Sequence, residues 1–229
     1  MSEFFLELFS EEIPPRLQQD ARKEILKYFF EIFEKLNISF KSGKSYSTSK
    51  RLVFVFEGIS KKINQKGETI RGPKLGTPKE ALEGFLKSNN IKRTNIFEQT
   101  TEKGTFYFAK TQAKTILVKQ ELAKIIPEVL KKYSWKKSMR WADYNLIWGR
   151  PLKSILALFN DQVIQFNFHH LQSNNLTFLD EIMEENQKVV KNFRSYLKLL
   201  DSRKIILDQN IRKQLILKQV KILLLTSLN

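Results

Sequence analysis

All three tryptophans of the chain fall within residues 135–148, as Trp135, Trp141 and Trp148, interleaved with Lys136, Lys137, Arg140 and Arg150. Cations set among large rings suit unpaired RNA, where indole and guanidinium faces stack on bases and lysines hold phosphates. The same residues also suit a core, with Trp141 and Trp148 flanking a strand and Arg140 and Arg150 bonding carbonyls or carboxylates. The physics favours the core for the rings and exposure for Lys136 and Lys137. Other reactive residues offer less. His169 and His170 are the only histidines; neighbours on a strand face opposite sides, so they cannot chelate one metal together, and one is expected in the core and the other in solvent. "GPKLGTPK" (72–79) lacks the G-x-x-x-x-G-K-[ST] order of a phosphate loop, and Pro73 and Pro78 bring no N–H donors. A turn feeding a helix capped by Thr77, with Glu80 completing a capping box, is the better reading. Glu11 and Glu12 lie beside Pro14–Pro15, where negative charge suits a helix mouth better than acid–base work. No serine sits in a nucleophile elbow. The sequence therefore offers no catalytic residue, no metal cluster and no cofactor cradle, and the chain alone is expected to do no covalent chemistry.

The elements that must position these residues are readable from periodicity. "EFFLELF" reads as a short buried strand. A helix opens at Pro14–Pro15 and runs to about Leu36, on Leu17, Ala21, Ile25, Phe29, Ile32, Phe33 and Leu36 at three- and four-residue spacing. Strands follow around Tyr46–Thr48 and Leu52–Phe56, then a further arm ending at Gly72–Pro73. A helix to about Asn89, a strand "GTFYFAKTQ" and a helix over 115–133, kinked at Pro127, come next. "LKSILALF" and "QVIQFNF" alternate around Asn160–Asp161, a hairpin signal. From about Glu184 the chain reads as helical and basic. The fold class is α+β, mostly antiparallel, with a helical C-terminal segment. The polar stretch "QSNNLTF" suggests a boundary, giving an α+β domain over 1–178 and a basic helical segment over 179–229.

Forty Lys and Arg against 24 Asp and Glu give a formal net charge of +16. A surplus of that size attracts polyanions and supplies counterion-releasing contacts to phosphate, which makes nucleic acid the leading partner and an anionic membrane the second. A lysine-rich genome would produce part of the same surplus. The absence of cysteine excludes disulfides, thiolate catalysis and Cys-ligated zinc. The acidic N-terminus is unlike a signal peptide, and no apolar run approaches a bilayer's span, so a soluble cytoplasmic protein with no membrane partner is expected.

Four elements in order carry a family resemblance. Phe4 to Pro14 matches the pattern F-L-L-E-L-x-x-E-E-I-P, with Phe5 at the first Leu position. Thr48, Ser49, Lys50, Arg51 and Leu52 correspond to T-P-R-R-L, with Ser and Lys replacing Pro and Arg. Gly72, Pro73, Pro78, Ala81, Gly84 and Phe85 meet a G-P…P…A…G-F element. Lys137, Ser138, Met139, Arg140, Trp141, Arg150 and Pro151 meet K-S-M-R-W…R-P in full. The chain resembles the N-terminal part of the beta subunit of the bacterial heterotetrameric glycyl-tRNA synthetase. The likeness is good over 1–178 and fades after Thr177, where "FLDEI" stands in place of G-H-R-F. Beta chains of the family run several hundred residues further, so this one resembles a truncated, fragmentary or frameshifted member.

The resemblance implies ATP-dependent attachment of glycine to tRNA(Gly) by an assembly of alpha and beta subunits. It implies a catalytic core in the alpha subunit, with tRNA binding and assembly falling to beta. ATP would be used by the whole enzyme and not bound by this chain. Lys50, Arg51, Lys136, Lys137 and Arg140 are then the expected tRNA or subunit contacts. A stand-alone basic RNA-binding protein and a nonfunctional fragment remain open alternatives.

Overall fold

The computed structural model describes residues 2–65, 69–110, 114–179 and 187–227. The chain begins with β1 (Glu3–Ser10), α1 (Pro15–Lys35), β2 (Ser42–Thr48) and β3 (Arg51–Glu57). An insert follows, of β4 (Lys62–Gln65), β5 (Thr69–Lys74), α2 (Lys79–Ser88), β6 (Ile96–Thr101), β7 (Gly104–Lys110) and β8 (Lys114–Leu117). The chain then continues through α3 (Val118–Lys132), β9 (Met139–Arg140), β10 (Ile147–Trp148), β11 (Leu152–Phe159), β12 (Gln162–Val163), β13 (Asn167–Phe168), β14 (Leu171–Asn174), β15 (Leu176–Phe178) and β16 (Gln187–Val189). It closes with α4 (Phe193–Ser202) and α5 (Gln209–Ser227). The result is α+β with mostly antiparallel pairing and a helical C-terminal end, as the periodicities require.

By compactness the chain forms two units, one of residues 1–61 with 117–229 and one of 62–116. The boundary read from "QSNNLTF" falls inside the first. There β16 pairs with β15, and Tyr196 and Leu200 of α4 share a buried cluster with Phe5, Val53 and Leu156. The strand Gln187–Val189 also means that the C-terminal helices begin at Phe193, later than the helical reading from Glu184. Asn192 starts α4 with a reciprocal cap, its side chain accepting from the Ser195 N–H at 2.9 Å.

The main sheet of the first unit runs β13–β14–β11–β1–β3–β2, with β12 also on β11; β11 and β14 pair parallel, the others antiparallel. Central β1 is covered on both faces, so it reads as a near-continuous apolar run. Alternation sorts its side chains. Phe4 packs with Phe29 and Phe33 of α1 and with Phe56, at ring separations of 5.6, 6.4 and 5.7 Å. Phe5 meets Phe193 and Tyr196 of α4 at 5.3 and 4.9 Å, and Phe9 meets Phe178. Apolar spacing predicted this face of α1, and Leu17, Ala21, Ile25, Phe29 and Phe33 are all buried on it.

The Asn160–Asp161 hairpin is present, with both residues left-handed (φ 47° and 62°), as a tight two-residue turn demands. "QVIQFNF" is broken into β12 and β13, because the Ser173 hydroxyl engages the backbone of Ile164 and Phe166 between them. α3 starts at Val118 and not at 115, since Lys114–Leu117 is a strand, and the helix is continuous through Pro127.

The 62–116 unit is a three-stranded antiparallel sheet, β5–β7–β6, with α2 beside it and β4 paired to β8. The expected Thr77 cap does not form. Thr77 spends its hydroxyl on the Lys74 carbonyl at 2.7 Å, and Pro78 occupies the cap position without a side-chain bond. Gly72 and Phe85, two residues of the G-P…G-F resemblance, are in contact: a Cβ at Gly72 would stand 2.9 Å from the Phe85 ring.

Candidate nucleic-acid interface

The tryptophan segment is anchored by a line of rings. Tyr133, at the end of α3, meets Trp135 edge-on at 5.0 Å; Trp135 meets Trp148 at 5.2 Å, and Trp148 meets Phe168 at 5.8 Å. Trp135 and Trp148 are buried. Gly149 permits this packing, since any Cβ there would fall 2.3 Å from the Trp135 ring. On this footing β9 and β10 form a two-stranded ribbon, with Arg140 opposite Ile147 and Met139 opposite Trp148.

The expected core therefore holds for Trp148 but not for Trp141, which is half-buried where the ribbon turns back. Arg150 plays the structural part foreseen for it, donating to the Glu12 carbonyl at 3.1 Å and, less closely, to that of Gly149. Arg140 is exposed, so it is not the buried cation that its neighbour suggested. Lys136 and Lys137 are exposed too, Lys136 with its ammonium 2.6 Å from Asp20. These three cations share one short surface segment, 136–140. Lys50 lies half-buried at the β2–β3 turn, where its carbonyl accepts from the Ser10 N–H at 2.9 Å.

Arg51 is elsewhere. It is buried, with Nε 3.2 Å from Glu7 Oε2, close enough to pair though poorly aligned for a hydrogen bond. Its guanidinium also bonds the Phe178 carbonyl and lies 4.8 Å over the Phe9 ring. Thr177 donates to Glu7 at 2.8 Å, and the Tyr196 hydroxyl donates to the same carboxylate. Burial raises the Glu7 carboxyl above its ordinary value, against the opposing pull of Arg51, Tyr196 and Thr177. Burial and the adjacent carboxylate push the Tyr196 phenol well up. Such a buried cluster ties β1, β3, β15 and α4 to one another. Its position inside the protein leaves Arg51 no phosphate to meet.

Loops link the same elements. The Ile13 N–H donates to Ser49 O at 2.7 Å, the Glu11 N–H to Pro151 O at 3.0 Å, and Lys153 pairs with Glu11. Glu11 and Glu12 thus brace a junction, with no acidic residue in the first turn of α1. The histidines form the β13–β14 turn, both exposed, with His169 left-handed (φ 54°). The expected core-facing histidine is absent because neither residue lies on a strand. His170 instead stacks on Tyr144 of the tryptophan ribbon, at 3.6 Å and 10°. Among the described residues no three His, Asp or Glu converge as a metal site, and no helix is long and apolar enough to cross a membrane.

The family described as glycyl-tRNA synthetase beta subunit matches residues 4–227, past residue 178, where the motif likeness fades. The chain is 35% identical to a glycine–tRNA ligase beta subunit of Rickettsia canadensis over 94% of its own length and 32% of the relative's. Against the beta subunit of Rickettsia bellii the identity is 34%, over 94% and 33%; against that of Rickettsia prowazekii it is 33%, over 94% and 32%. The chain thus spans about a third of the length of the curated relatives it matches. With the motif residues Glu7, Arg51, Gly72, Phe85, Trp141 and Arg150 placed, and with a match over nearly its whole length, the chain belongs to the glycyl-tRNA synthetase beta-subunit family.

Proposed function

We propose that this chain acts as a noncatalytic tRNA-binding and assembly module of a cytoplasmic glycine–tRNA ligase. A catalytic alpha subunit would carry out the ATP-dependent attachment of glycine, and this chain would help to hold tRNA(Gly) against it. The observation that carries the reading is the exposed run of Lys136 with Lys137 and Arg140 of the family's K-S-M-R-W element, beside the buried rings of Trp135 and Trp148. Exposed cations next to a packed scaffold suit backbone contact with a folded RNA. Lys50 is a further contact to tRNA or to the alpha subunit.

Salt titration of tRNA binding tests this directly. Lys136→Ala with Lys137→Ala should weaken binding to different tRNA species alike and make the log–log salt slope shallower by roughly 0.7 to 0.9 per lost contact. The melting temperature should hardly move, since exposed substitutions stay within about 0.5 kcal/mol. An unchanged slope would take tRNA off this segment. Co-purification with an alpha subunit checks the assembly role, and its absence would favour a stand-alone RNA-binding protein.

A further inference from the structure

Between the tip of the tryptophan ribbon and the histidine turn lies a recess of about 390 Å³. Trp141, Tyr144 and His170 line it with aromatic rings, Leu146 and Leu152 with aliphatic side chains, and Lys153 borders it as well. We propose that this recess receives one unpaired base of the bound RNA. The inference rests on the RNA-binding reading above and adds to it a mode of recognition.

Three observations converge on a base. First, the lining is aromatic and aliphatic save for Lys153, and base–aromatic stacking tolerates any base because every base has a π face. Second, the platform is already assembled. Tyr144 is 48% exposed, yet its ring is held parallel to His170 at 3.6 Å. A ring so held loses little rotamer freedom when a ligand arrives, which lowers the cost of binding.

The third is the placement of charge. Lys153, the only Lys or Arg lining the recess among the described residues, is engaged by Glu11. A free nucleotide would therefore find no cation to spare for its own phosphate. A base delivered by a strand needs none, because the exposed Lys137 and Arg140 of the same segment can hold the strand's phosphates. A duplex keeps its bases stacked inside and offers the recess nothing. Single-stranded RNA fits these features together.

The test uses the full 229-residue chain, a single-stranded oligoribonucleotide of mixed sequence, and a blunt RNA duplex of the same length. The wild-type protein should show a preference for the single strand. Tyr144→Ala and His170→Ala, both at exposed positions, should keep the melting temperature and lose roughly 5- to 150-fold in single-strand affinity. Their duplex affinity and salt slope should stay as they were. Tyr144→Phe should bind like the wild type. Unchanged single-strand affinity in the alanine variants, with salt-dependent tRNA binding intact, would overturn the recess and leave the functional reading standing. Absence of salt-dependent binding to any RNA would sink both. Binding of AMP alone, lost in the same variants and without a single-strand preference, would replace the strand by a mononucleotide and overturn the proposal.

Discussion

Glu7 is the one charged residue in a strand that is otherwise apolar from Phe4 to Phe9, and the structure shows why it is tolerated. Arg51, Thr177 and Tyr196 converge on it from residues 44 to 189 positions away in sequence. A lone acid inside "FFLELF", and an arginine heading "RLVFVF", are signals of a buried pair; no local pattern shows that one answers the other. Arg51 therefore reads as a surface cation until its partner is seen. Removing a single member of a buried pair costs about 3–5 kcal/mol, so Arg51→Met should be strongly destabilising at neutral pH. The pH dependence has a definite sign. Glu7 is raised in the folded protein, so its contribution to stability is fullest below its ordinary value of 4.5 and is lost as pH rises through the raised value. Arg51 is the main influence opposing that rise, so the deficit of Arg51→Met should shrink in acid, where Glu7 is protonated and needs no cation. Denaturant melts across pH would show this, and a deficit that grows toward acid would refute the assignment. The two indoles differ in the same currency. Trp148→Ala should cost about 3–5 kcal/mol, as buried aromatic truncations do, and the half-buried Trp141→Ala distinctly less. Equal losses in thermal melts would return Trp141 to the core.

At the scale of elements, the legible parts are those with a strong repeat or strong turn chemistry. α1 follows from apolar spacing, and the β11–β12 hairpin from Asn160–Asp161, since Asn and Asp tolerate left-handed backbone. The β13–β14 hairpin was not legible, because His169–His170 carries no turn signal and its conformation is imposed by the strands around it. Thr77 shows the converse, a good cap residue diverted into a turn. Asn160 does two things: it holds φ at 47°, and its side chain accepts from the Glu3 N–H at 2.9 Å. Asn160→Ala should cost about 1–2 kcal/mol from the left-handed backbone alone, and Asn160→Gly should retain more stability than Asn160→Ala. The reverse order in urea midpoints would show that the side-chain bond outweighs the backbone. Gly149→Ala should cost about 1–3 kcal/mol by driving a methyl into Trp135, and near-UV dichroism should report the disturbed indoles. A wild-type melt for that variant would mean that the ring line shifts without penalty.

For the whole molecule, composition made the charge legible, periodicity the α+β class, and four ordered elements the family. The division into units was not, because the insert begins and ends in ordinary strand sequence, without a linker signature. The proposed role predicts that the purified chain alone gives no glycine-dependent ATP–pyrophosphate exchange. Exchange above background without an alpha subunit would place adenylation chemistry in this chain.

The backbone bond from the Val118 N–H to the Lys61 carbonyl, 3.0 Å long, is where the main unit closes after its excursion through residues 62–116. The two ends of the excursion meet there, so the number of residues between them does not enter the strand order or register of the main sheet. Loop closure then varies only slowly with length, and a module of any size with adjacent termini can be seated at the same gate. Replacing 62–116 by a short glycine-rich turn should leave a cooperative melt, and the ring line under the tryptophan ribbon should survive. In that sense the insert is a cassette: its removal should leave Glu7, Arg51 and the ribbon in their places.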